Sequence, residues 1–260
     1  MIKITGLTYT NNNLKLLNDI NITFNDGEII GIIGESGSGK TLFLKALAGL
    51  LKNYSGEIFF NNISLDSIPT KDIPKYIASI FSNAPQDIID DTVFNFLLQS
   101  RKSFKKLLNP FTDFDIQTTE EYINLFNLNE FKDTKVLSLS DGIFKKVQLA
   151  FPFIKIAEVL LLDNPTTNLD LHSITLLQKA ILKYIMNGDK IIVIACNDLN
   201  FMFQTTDRIL IMKDGRIEAE ENPSLIDAQM ITKYFKTEVL ISKNIYNGKP
   251  VVHQFLKTAG

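Results

Sequence analysis

The chain has 260 residues, of which 45% are hydrophobic and 22% charged, a composition that fits an ordinary globular protein and excludes a disordered or collagen-like one. Its 27 basic and 29 acidic residues give a net charge of −2 and are well mixed, so no basic field draws it to nucleic acid. The apolar runs at 159–162 and 191–196 fall far short of the roughly 20 residues that cross a bilayer.

In chain order, the first segment alternates apolar and polar residues, breaks at Asn11-Asn12-Asn13, and resumes an extended pattern at 21–24 before the turn Asn25-Asp26-Gly27, which predicts a meander of strands. Because residues 1–7 already alternate and the single cysteine, Cys196, cannot pair within the chain, a reducing, cytoplasmic setting is expected. Residues 28–33 form a β-branched run bounded by glycines, the pattern of a buried parallel strand. A glycine-rich stretch at 34–39 then leads into helical spacing over 40–51. A helix at 72–76, a strand at 77–81 and a mostly helical block over 92–137, broken at Asn109-Pro110, follow. After these the pattern predicts strand 159–162, helix 173–186, strand 190–195, helix 200–205 and strand 208–212. The expected class is α/β, with a core over about 1–90 and 158–222, a helical insertion over about 91–157 and a C-terminal extension over 223–260. No internal repeat or low-complexity linker interrupts it.

The string Gly34-Glu35-Ser36-Gly37-Ser38-Gly39-Lys40-Thr41 has the spacing G-x-x-x-x-G-K-S/T and sits between a predicted strand and a predicted helix. Glycines there let successive backbone N–H groups turn inward, and the helix N-terminus adds partial positive charge. Lys40 is placed to reach the β and γ phosphates of a nucleotide and the Thr41 hydroxyl to ligate Mg2+, and Leu42, next in the helix, belongs to the nucleotide-binding stretch. A second oxygen ligand for Mg2+ is expected from Asp163, which ends the apolar run 159–162. Taken alone, a strand-ending aspartate reads equally well as the cap of a turn. Its pairing with a complete phosphate loop favours the metal role.

Two further strings carry a family resemblance. Leu139-Ser140-Asp141-Gly142-Ile143 is similar to the signature LSGGQ of ABC transporter ATP-binding subunits, and residues 163–170, DNPTTNLD, resemble the family's Walker-B and D-loop string DEPTSALD. The resemblance extends over nearly all of the chain. It implies a P-loop NTPase fold with a mostly parallel sheet, an N-terminal antiparallel β subdomain and a helical signature subdomain. It also implies ATP and Mg2+ as cofactors, with Ser140, Asp141 and Gly142 facing the nucleotide of a second subunit and Asp170 at the D-loop position. Tyr9 falls where the family stacks an aromatic ring on adenine, although a tyrosine on a strand serves equally well as core. The stretch 198–200 before Asp207-Arg208, the hairpin 213–217 and the tail over 234–252 resemble the ATPases of iron–siderophore, haem and cobalamin importers. The implied partners are a second ABC ATP-binding subunit, as homo- or heterodimer, and transmembrane permease subunits at the cytoplasmic face of the membrane.

The sequence departs from the family where the γ-phosphate is attacked. The catalytic glutamate position is Asn164 and the switch-histidine position, counted back from Asp207-Arg208, is Asn197. The Q-loop position is Ser82, with Gln86 as an alternative if the loop shifts by four residues. Ile143 replaces the signature glutamine, and Pro152 falls within the helix that follows, where an interior proline costs about 3 kcal/mol or bends the helix. Asparagine cannot take a proton from the attacking water, and a positioned general base contributes roughly 10²- to 10⁴-fold. The groups that bind triphosphate and Mg2+ are retained, and this pattern predicts an importer subunit that binds Mg-ATP with hydrolysis impaired or absent. Two other readings stay open. One is an active ABC ATPase with compensating residues, which steady turnover would reveal, and the other is a soluble regulatory ABC protein without a membrane partner.

Overall fold

A computed structural model of the chain describes residues 1–81, 90–104, 109–186 and 188–254. Two compact units are formed, Met1–Ser67 with Val193–Gly260, and Ile68–Ile192.

The first unit opens with a hairpin, Ile2–Asn11 and Leu14–Phe24. Its two-residue loop, Asn12-Asn13, has both residues at positive φ, 46° and 61°, which asparagine tolerates and which matches the twist of flanking strands. The second strand starts at Leu14, earlier than the predicted 21–24, and absorbs an irregularity at Asp19, φ 52°. Strand Ser55–Phe60 pairs antiparallel with Ile2–Asn11 and turns through Asn61-Asn62, again with positive φ, into Ile63–Ser64. Sequence reading missed this pair, whose local signal is the second Asn-Asn turn.

In the same unit the fully buried strand Ile29–Ile33 runs parallel to Arg208–Lys213, which returns antiparallel as Arg216–Glu221. The predicted landmark Asp207-Arg208 anchors this arrangement. Asp207 Oδ2 accepts from Ile29 N at 3.0 Å, and the Arg208 guanidinium donates to Glu28 at 2.8 Å, to Thr23 O at 2.8 Å and to Glu220 at 2.7 Å. Helix Lys40–Leu47 stops short of the predicted 51. Leu50 N donates to Lys45 O and Gly49 N to Ala46 O, with Gly49 at φ 68°, which is the Schellman stop that glycine permits. The chain beyond 223 folds as helix Ala228–Phe235 and the hairpin Val239–Lys243 with Pro250–Gln254.

In the second unit, strands Ile77–Ile80 and Val159–Asp163 are parallel, paired from Ile77 with Val159 to Ile80 with Leu162. The predicted helical block forms as Val93–Leu98, a 3-10 segment Gln99–Phe104 and Asp113–Leu125, the last opened by a capping box of Thr112 and Asp115. Helix Asp141–Ile154 runs through Pro152, which lies in its final turn, so the missing N–H removes a bond only at the end of the ladder. Buried Arg101 closes that end, donating to Ile154 O at 3.3 Å and Lys155 O at 2.7 Å while pairing with Asp115 at 2.8 Å.

Lys155 donates to Ile77 O at 3.2 Å. Burial pulls its ammonium down from 10.5 to about 8. A folded value below the unfolded one means that the unfolded chain binds the extra proton between these limits. Stability therefore rises with pH across that window, by at most about 3 kcal/mol. Lys155→Met is expected to lose this rise. The readout is wild type minus variant in urea unfolding at pH 7.5 and pH 10, because buried Tyr122 and Tyr184, whose hydroxyls are pushed up by burial, cancel in the difference.

Candidate nucleotide site

The phosphate loop joins the buried strand Ile29–Ile33 to helix Lys40–Leu47. Gly34 lies so close to the neighbouring strand that a Cβ would stand 2.1 Å from Met212 O. Gly37 has φ 83° with open space around it, and Gly39, the helix N-cap, has φ 104°, so these two are required for backbone conformation. Ser36 and Gly37 are exposed, whereas Ser38 and Lys40 are buried. The Lys40 ammonium is drawn over the loop, donating to Gly34 O at 2.8 Å and Glu35 O at 2.9 Å, and Ser38 N donates to Glu35 O at 3.2 Å. Thr41 and Leu42, both half-buried, follow in the first turn.

This cradle suits a polyphosphate: a helix N-terminus and a buried ammonium converge on a loop whose tip faces outward. Gly215, in the turn between Arg208–Lys213 and Arg216–Glu221, supports the loop from outside by donating its N–H to Ser38 O at 3.0 Å and accepting from Asn18 N at 2.9 Å. In the sequence that hairpin reads only as a family landmark, because its supporting contact with the loop is long-range. Gly34→Ala is expected to cost about 3 kcal/mol, the upper end for overpacking, and to lower ATP affinity in parallel. Thermal unfolding and nucleotide titration of the variant check both effects.

Tyr9 is half-buried and stands opposite Leu17 in the first hairpin. Leu17 Cδ2 lies 3.3 Å, and Leu16 O 3.0 Å, from where a Cβ on Gly39 would be. The ring therefore sits on the strand pair that borders the end of the loop. Asn197 is exposed, and the preceding Cys196 N donates to Ile32 O at 3.1 Å, which brings the Asn197 segment beside the strand that feeds the loop. Ser82 and Gln86 lie outside the described residues.

The remaining candidates belong to the second unit. Asp163, 5% exposed, ends its strand. Asn164 follows at φ 46° and turns its amide back, Nδ2 donating to Asp163 Oδ1 at 3.3 Å. The turn continues with Thr167 N donating to Asn164 O and Leu169 N to Thr166 O, both at 3.2 Å. Asp170 then caps helix Leu171–Ile185 by accepting from Ser173 N at 2.6 Å. Hydrogen bonds from the Ser173 side chain and backbone hold the Asp170 carboxyl below the usual range. Ser140, Asp141 and Gly142 are exposed where helix Asp141–Ile154 begins, and Ile143 is half-buried. No helix among the described residues is long and apolar enough to cross a membrane.

Comparison with known proteins gives a consistent result. The sequence profile described as ABC transporter matches residues 17–167, more than half of the chain. An uncharacterized ABC transporter ATP-binding protein of Methanocaldococcus jannaschii is 28% identical over 252 residues, 97% of each chain. The petrobactin import ATP-binding protein FpuD of Bacillus anthracis is 29% identical over 249 residues, covering 94% of this chain and 90% of that protein. Among solved structures, a dimeric post-hydrolysis state of an ATP-binding cassette bound to ADP and Pi superposes with a TM-score of 0.74 at 25% identity, covering 85% of this chain and 98% of the other.

Proposed function

The chain belongs to the ABC transporter family as an ATP-binding subunit, and we propose that it binds Mg-ATP for an importer of iron–siderophore, haem or cobalamin-type substrates while hydrolysing it slowly or not at all. The observation that carries this reading is that a chain with a complete phosphate loop has an asparagine, its amide on Asp163, at the position of the family's catalytic glutamate. The similarity to a petrobactin import protein supports the substrate class.

Bound Mg-ATP supplies a γ-phosphoryl group for transfer to water, with the metal offsetting its charge. On the protein side, the loop N–H groups and Lys40 would hold the phosphates, Thr41 and Asp163 the metal, and Tyr9 the adenine. Lys40 has to leave the carbonyls of Gly34 and Glu35 to do so, exchanging neutral acceptors for charged ones, which make stronger bonds. Asn164 can orient a water by hydrogen bonding but has no basic site for its proton. Asn197 can donate one hydrogen bond to a γ-phosphate and carries no charge. Ser140, Asp141 and Gly142 would meet the nucleotide of a second ABC subunit, and a permease would anchor the pair at the cytoplasmic face of the membrane.

Lys40→Ala is expected to weaken Mg-ATP binding by about 10- to 100-fold, the worth of a hydrogen bond to a charged group. Equilibrium titration with a fluorescent ATP analogue measures it. For the transport role, the tagged chain solubilised with its own cell's membranes is expected to recover a multi-span subunit in stoichiometric amount. Recovery only as a protein free of membrane subunits would contradict the importer reading.

A further inference from the structure

Helix Leu199–Thr205 begins directly after Asn197-Asp198, and Asp198 caps it by accepting from Phe201 N at 2.9 Å. One side of this helix is pressed on the strand that feeds the phosphate loop. A Cβ added at Gly31 would stand 2.7 Å from Met202 Cε and 2.9 Å from Thr206 Cγ2, so the helix already sits as close to that strand as a glycine allows.

The C-terminal hairpin grips the helix elsewhere. Asn200 makes a reciprocal pair with the Val252 backbone, Nδ2 donating to its carbonyl at 3.1 Å and Oδ1 accepting its N–H at 2.7 Å. That is the bonding of a ladder position, supplied by a side chain. Gln204, one helical turn on, donates to Pro250 O at 3.0 Å and accepts from Asn247 Nδ2 at 2.7 Å. Lys249 donates to the Gln204 carbonyl at 2.8 Å, placing a cation in the last turn, where the helix dipole favours it. A cavity of about 460 Å3 has Asn197 and Asn200 in its wall together with Val252 and Gln254 of the hairpin. The segment carrying Asn197 is thus held between its own strand and the hairpin.

We propose that Asn200 and Gln204 are positioning residues through which the C-terminal hairpin sets Asn197 for the γ-phosphate. Neither needs to touch nucleotide. Each bond they make fixes the helix against the hairpin, and the helix fixes the residue just before its cap. The inference rests on the reading of Asn197 as the γ-phosphate-facing residue given above.

The test uses the full chain and compares Mg-ATP with Mg-ADP affinity, because only ATP carries the γ-phosphate. Asn197→Ala is expected to lower ATP affinity about tenfold while leaving ADP affinity unchanged. The double variant Asn200→Ala/Gln204→Ala is expected to show the same selective loss, and the triple variant no further loss, because all three changes remove one interaction. Hydrogen exchange over 196–205 should quicken in the double variant while exchange in strand Ile29–Ile33 stays protected, which separates loosening from unfolding. Should Asn197→Ala act selectively while the double variant does not, or should the losses simply add, the positioning role is overturned and the reading of Asn197 stands. No selective effect of Asn197→Ala overturns both. If Asn200→Ala/Gln204→Ala fails to fold, Asn200→Asp, which sets a carboxylate against the Val252 carbonyl, is measured in its place, and an unchanged ATP-to-ADP ratio in it overturns the proposal.

Discussion

Replacing Asn164 with glutamate is expected to raise the single-turnover rate of ATP hydrolysis by about 10²- to 10⁴-fold, the contribution of a positioned general base. The lower end of that range is expected, because Asn197 still lacks the charge of the family's histidine and catalytic groups that act as a unit do not add independently. The same change should cost stability. Asn164 sits at φ 46°, where asparagine is favoured over other non-glycine residues and a left-handed backbone costs about 1–2 kcal/mol. The bond from its amide to Asp163 Oδ1 is also replaced by a second carboxylate beside the first. Faster turnover together with a melting temperature lowered by a few degrees is therefore the expected pair of results. Unchanged turnover in a variant that folds and binds ATP would mean that Asn164 is not where hydrolysis is limited.

The largest loss of stability is expected at Arg101. Its guanidinium pairs with Asp115 at 2.8 Å, and their side chains are 9% and 5% exposed. It also donates to the carbonyls of Ile154 and Lys155 at the end of the helix that starts at Asp141 and lies 4.8 Å from the Phe104 ring centroid. Arg101→Met keeps much of the side-chain volume but removes the guanidinium from a buried ion pair, and removing one member of such a pair typically costs about 3–5 kcal/mol. For a chain of this size that lowers the melting temperature by roughly 10 °C. Asp115 Oδ2 still accepts from Thr112 N at 2.8 Å and Thr112 Oγ1 at 2.7 Å, so the capping box survives and the loss reports on the ion pair. Adding Asp115→Asn to Arg101→Met should recover part of the stability, since the carboxylate that lost the guanidinium is then neutral. A double variant worse than the single one would show that packing of Arg101 on the aromatic rings is what matters.

Features with short-range causes were legible in the sequence. The phosphate loop is contiguous, and its glycines, lysine and flanking strand and helix are fixed by neighbours in sequence. The strands Ile29–Ile33 and Val159–Asp163 read as continuous apolar runs because they are buried throughout. What stayed hidden depends on distant partners. The apolar spacing of residues 40–51 continues past Leu47 because Ala48 and Leu51 pack in the core, although Gly49 has already ended the helix. Strand Ser55–Phe60 is defined by its pairing with Ile2–Asn11, where Gly56 lets the backbone approach Gly6 to a distance that a Cβ would obstruct. Support of the loop by Gly215 and the grip of the C-terminal hairpin on Asn200 and Gln204 join residues far apart in the chain. At Asn164 the residue type and its place directly after the strand-ending aspartate were legible, whereas the backbone twist that turns its amide onto Asp163 was not.

The most direct measurement is nucleotide affinity and single-turnover phosphate release recorded on the same purified chain with Mg2+ and ATP. Binding at micromolar ATP, weakened about 10- to 100-fold in Lys40→Ala, with phosphate release restored only by Asn164→Glu, is the predicted result. Steady hydrolysis by the unaltered chain would contradict it and make this an ordinary transport ATPase whose substitutions at Asn164 and Asn197 are compensated.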